Sequence, residues 1–98
     1  MKKRLYAIYQ GPAGYDKDKR DFEKLEKTGE LQIGKIYVVK KVDMKASMTH
    51  IDLEGVSGKR LNSVAFDFYY MINNKLEEHD IYDDKKYNPY LSDNLNTL

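Results

Sequence analysis

The residues able to do chemistry are few: two histidines, no cysteine and a scatter of carboxylates in a chain of 98 residues. His79 stands in the run Glu77-Glu78-His79-Asp80, four groups of metal-ligating type. Neighbours on a strand point to opposite faces, and no HExxH-type spacing brings two ligands to one side. A solvated acidic turn accounts for the run equally well. His50 is followed two residues later by Asp52, and Ser47 or Ser63 would have to complete a triad. Neither serine lies in a nucleophile-elbow sequence, so the pair has no activated nucleophile to serve. The lack of cysteine removes thiolate catalysis, disulfides and Cys-type zinc sites together, and it fits a reducing cytoplasm. The expectation is a protein that is not an enzyme, with no catalytic residue, no cofactor and no bound metal.

Recognition chemistry is better supplied. Gly55-x-x-Gly58 followed by Lys59-Arg60 has the makings of a phosphate cradle, although glycines at such a corner are what a hairpin turn demands. Lys40, Lys41, Lys59 and Arg60, interleaved with Tyr6, Tyr9 and Tyr37, form a candidate nucleic-acid face on which bases would stack. The sequence pI of about 7.8 is low for such a module, so nucleic acid stands as the alternative partner. Nine tyrosines against three phenylalanines and no tryptophan favour a protein contact surface, since tyrosine buries a ring and keeps its hydroxyl wet. Tyr9, Tyr15, Tyr82 and Tyr87 are the candidate anchors. Glu77, Glu78, Asp80, Asp83 and Asp84 add an acidic surface that can imitate a nucleic-acid backbone, broken by Lys85 and Lys86.

These groups need elements to position them. Residues 5–10 alternate tyrosine with small and apolar side chains and stop at Gly11-Pro12, a strand followed by a loop. Residues 18–27 space Phe22 and Leu25 as one apolar helical face, with Asp16 or Asp18 as cap and Gly29 as stop. Residues 36–42 are β-branched and read as a buried strand. Residues 48–54 alternate cleanly, Thr49, Ile51 and Leu53 inward and His50, Asp52 and Glu54 outward. Residues 61–70 read as one long strand hairpinned to it, with Val64, Phe66 and Phe68 on the core face. Tyr37 and Val39 should complete that core. Asn73-Asn74 is a turn. The fold class expected is mainly β (α+β): a small antiparallel, partly open barrel or four-to-five-stranded sheet with one short helix. Residues 1–74 would form a single β-rich domain, and residues 75–98 a loosely structured, acidic, Tyr/Asn-rich tail or wrapping segment.

Charge is unevenly placed along the chain, positive in excess before residue 60 and negative after it, for a net of only +1. Met1-Lys2-Lys3-Arg4 has the charge of a signal-peptide start, but no apolar stretch follows it. No apolar run reaches the roughly 18 residues of a membrane helix. The expectation is a soluble cytoplasmic protein, monomer or homodimer, with no membrane partner.

Between residues 31 and 68 the chain resembles small proteins encoded by phages and prophages of low-GC Gram-positive bacteria. The matching residues are Leu31, Gly34, Lys35, Tyr37 and Val39, then Thr49, Ile51, Leu53 and Gly55, then Gly58, Asn62, Ser63, Val64, Phe66 and Phe68. The resemblance implies an SH3-like small barrel and a mobile-element accessory factor in a bacterial host's cytoplasm. Some small phage proteins disable host defences, CRISPR–Cas among them, so it also implies a host protein as partner and an anti-defence, anti-CRISPR-like role.

Overall fold

The computed structural model describes residues 4–57 and 60–89. Strand β1, Leu5–Tyr9, buries Leu5, Ala7 and Tyr9 on one face and leaves Tyr6 and Ile8 half-buried on the other, the period of two expected of a strand. Helix α1, Asp16–Lys27, follows and starts two residues earlier than its apolar spacing suggests. Tyr15 is its N-cap residue, and Asp18 reaches back to accept a hydrogen bond from the Tyr15 amide at 3.0 Å. Gly29, at φ +82°, donates to the Glu26 carbonyl and ends the helix as its sequence position predicts. Phe22 and Leu25 are the buried face.

Strand β2, Ile36–Met44, pairs antiparallel with β1 through its first half and with β3, Thr49–Leu53, through its second. A register shift between Val39 and Lys41 separates the two halves, a bulge that turns the strand from one neighbour to the other. Strand β4, Leu61–Asn62, pairs with β3. Strand β5, Phe66–Ile72, lies along the far side of β1, and β6, Lys75–Glu78, pairs with β5. The order is β4-β3-β2-β1-β5-β6, all antiparallel. Only three residues join β4 to β5, which lie four places apart in that order, so the sheet has to coil to bring their ends together. It is not closed into a barrel: β4 and β6 are its edges.

The continuous strand expected over residues 61–70 is corrected. Asn62 breaks it by accepting a hydrogen bond from the Val64 amide through its side chain, which caps a 3-10 turn over Ser63–Ala65. The turn inverts the local alternation. Ser63 and Ala65 are buried, and Val64, expected in the core, is 57% exposed. Of the remaining expected core residues, Tyr37, Ile51, Leu53, Phe66 and Phe68 are buried, and Val39 packs against them half-buried. At the centre the rings of Tyr9, Phe22 and Phe66 meet with centroids 5.4–6.0 Å apart. Tilted and edge-on contacts of this kind add to what area burial alone provides.

Beyond β6 the chain wraps back. A second 3-10 turn, Ile81–Asp83, places Ile81 fully inside the core cluster. Among the described residues, no helix is long and apolar enough to cross a membrane.

Candidate partner-binding cleft

Four segments far apart in sequence converge at the β4 end of the sheet. The loop before α1 brings Gly14 and Tyr15, the β2–β3 connection and its flanks bring residues 44–49, β4 and the 3-10 turn after it bring Asn62, Ser63 and Val64, and the segment beyond β6 brings Tyr82 and Asn88. Together they line an open cleft of about 810 Å³ whose exposed surface is mostly apolar. Tyr15 is 70% exposed and Tyr82 41% exposed. With Val64 between strand ends and Met44 and Met48 in the lining, the cleft offers two aromatic rings, two adaptable thioethers and a branched aliphatic group.

The lining is held in place by polar groups beneath it. Asp18 Oδ2 accepts from both the Tyr15 amide and Asn62 Nδ2, tying the helix start to the edge strand at 3.0 and 3.1 Å. Gly14 passes over this junction at φ +97°, and a Cβ there would lie 2.8 Å from both Asn62 Nδ2 and Asp18 Oδ2. Only glycine fits. On the other wall the Tyr82 hydroxyl shares a 2.5 Å hydrogen bond with the buried Ser63 Oγ, which fixes the ring's edge while leaving much of the ring exposed. Asp80 accepts from the Tyr82 amide and caps the turn that carries it.

Two of the four tyrosines expected as anchors therefore meet in one cleft. The other two do not. Tyr9 is corrected outright: it is fully buried, its hydroxyl donating to Glu26 at 2.7 Å, so it belongs to the core and is not presented to a partner. Burial, then the Glu26 carboxylate, push its phenol well above the usual tyrosine range. Tyr87 packs half-buried against the core and hydrogen-bonds Tyr70. Of the expected acidic surface, Glu77 and Glu78 lie exposed on edge strand β6, Asp83 is exposed, and Asp80 is an exposed turn cap. Asp84 faces inward, accepting from Tyr70 at 2.7 Å and lying 2.9 Å from His79 Nε2.

The basic face expected for nucleic acid is interleaved with carboxylates. Lys41 stands opposite Asp52 across β2 and β3. The Arg60 amide donates to Asp52, its guanidinium lies 3.6 Å from Asp43, and Lys45 is also paired with Asp43. Lys40 is exposed at the bulge, and Lys59 and Gly58 lie outside the described residues. Phosphates approaching here would meet Asp43 and Asp52 together with the cations. His50 stands across from Asp43 with Nδ1 buried and without a hydrogen-bond partner. Among the described residues, no three His, Cys, Asp or Glu gather as a metal site.

Sequence reading had no signal for the rest of the cleft. Met44, Met48 and Val64 carry no motif, and Val64 reads as core wherever strand alternation is assumed.

A family model described as Bacteriophage T4 protein Y07B matches residues 4–93. No curated protein and no solved structure matches the chain. The match extends well past both ends of the segment that first pointed to a phage origin, and it takes in β1, α1 and the C-terminal wrap.

Proposed function

The chain belongs to the family of bacteriophage T4 protein Y07B, and we propose that it is a phage accessory factor that binds a host protein in the Tyr15–Tyr82 cleft and inhibits or redirects it without turnover. The observation that carries this reading is the meeting of two exposed tyrosines over an apolar cleft whose walls are braced by internal hydrogen bonds. Rigid aromatic groups lose little entropy on binding and are the side chains that dominate protein interfaces. The occupant that fits is an apolar side chain or short segment of the partner, laid between the rings. Of the groups with catalytic potential, Ser63, His79 and Asp84 take part in internal hydrogen bonds. Asp84 links Tyr70 to His79, and Ser63 braces Tyr82. A defence protein is one class of target that suits a factor of this kind.

The test compares wild-type protein with Tyr15→Ala and Val64→Asp in affinity capture from lysate of the phage's host. Both side chains are largely exposed, so both variants should keep the wild-type melting curve. Wild type should retain one host protein in stoichiometric amount, and each variant should weaken that interaction by about tenfold or more, the range of an interface anchor. Equal capture by all three would remove the cleft from the reading. Failure of all three to capture anything would remove the host protein.

A further inference from the structure

Helix α1 covers one face of the sheet, and among the described residues no helix or strand packs over the other face. On that uncovered face, the half made by β2, β1, β5 and β6 presents a continuous apolar field. Val38, Tyr6 and Tyr69 form one cross-strand row, and Ile36 and Ile8 form the next. Met71 extends the field beside β6. These side chains alternate with the buried residues of the same strands, and Ile36 and Met71 are 46% and 40% exposed. Apolar rows at this density belong to a face that packs on something.

Charges sit at two opposite corners of the field. Arg4, next to Leu5 and so turned to the uncovered face, and Lys40 at the bulge lie at the β1–β2 corner, both exposed. Among the described residues neither has an acidic partner. Asp67, exposed on β5, and Glu78, across from Tyr69 on β6, lie at the diagonal corner.

We propose that a second copy of this chain packs on this face, forming a two-fold dimer in which the basic corner of each sheet lies over the acidic corner of the other. An isologous contact requires that positions exchanged by the two-fold axis be complementary, and a diagonal arrangement of opposite charges satisfies this for a second copy of the same surface. Exchange along that diagonal sets the strands of the two sheets near right angles, one of the two packing modes open to stacked sheets. The net charge of +1 leaves no long-range repulsion between copies. The face shares no residue with the Tyr15–Tyr82 cleft, so the dimer and the partner-binding reading stand or fall separately.

Sedimentation and light scattering across roughly 1–200 μM (a span covering the affinities of ordinary dimers) test the proposal with wild type, Asp67→Lys, Lys40→Glu and the double variant. The substituted residues are exposed, and circular dichroism verifies that each variant is folded. The wild type should dimerise. Each single reversal should weaken the dimer by about tenfold or more, and the double reversal should restore it. A monomer throughout the range overturns the proposal, as does a dimer indifferent to all three variants.

Discussion

Asp84 shows what a single carboxylate can do when the chain folds back over it. Its oxygens accept hydrogen bonds from the Tyr70 hydroxyl, the Lys86 amide and His79, and they link β5 to the segment beyond β6. Burial alone would raise its pKa, but the hydrogen bonds from Tyr70, Lys86 and His79 outweigh that and hold it below the ordinary aspartate value. The sign follows from the linkage between protonation and folding. Stability from a depressed carboxylate is present above the unfolded value of about 3.9 and is lost as pH falls through the lower folded value. Replacing Asp84 by Asn should therefore cost about 1–2 kcal/mol at neutral pH, and it should flatten the acid limb of the stability profile below the ordinary aspartate value of about 3.9. Urea titrations at a series of pH values would reveal both effects. An unchanged acid limb would mean that other carboxylates control acid unfolding.

Among the elements, the β5–β6 hairpin is the clearest case of local chemistry deciding geometry. Its two-residue turn places Asn73 and Asn74 at φ +52° and +64°, the left-handed pair that matches the twist of the flanking strands. Asn74→Gly removes the remaining steric cost at the second position. It should stabilise the protein by roughly 0.5–1 kcal/mol, read as a rise of a few degrees in Tm. The edge that this hairpin leaves outermost bears Glu77 and Glu78, charges that discourage another strand from adding there. The turn, the helix with its Gly29 stop, and the strands starting at Leu5, Ile36 and Thr49 were legible in the sequence because each follows from local residue types. The break at Asn62 was not. Alternation through Val64, Phe66 and Phe68 is as good as in any strand, and what overrides it is one side-chain hydrogen bond together with the short crossing from β4 to β5.

At the scale of the whole molecule, the C-terminal segment closes the core. Ile81 is fully buried although its neighbours in sequence are acidic and polar, and nothing in their spacing marks it as core. Ile81→Ala should cost about 2–5 kcal/mol, with the denaturant midpoint lowered and the slope retained. A loss below about 0.5 kcal/mol, the level of an ordinary surface substitution, would mean that the wrap adds little to the fold. The cleft belongs to this scale too. Tyr15 and Tyr82 were legible as candidate anchors, each on residue type alone. Their convergence is a property of the tertiary structure, in which the loop before α1 and the turn after β6 come to flank the same 3-10 turn.

The position of β1 also governs the order in which the molecule can be made. Within this sheet β1 is synthesised before every other strand, yet it is an inner strand of the finished sheet, and its second neighbour, β5, is paired with it from Tyr9↔Phe66 to Leu5↔Tyr70. Until Ile72 has emerged, β1 has one open side, so the nascent chain can hold only the β1–β2–β3–β4 part of the sheet and not the strands on the far side of β1. Loop closure over such a separation is slow compared with hairpin formation. The chain is therefore obliged to fold after most of it has been synthesised, with Leu5, Ala7 and Tyr9 waiting for the partners that will bury them. That late closure makes translation speed and chaperone supply, as well as final stability, determinants of how much folded protein accumulates.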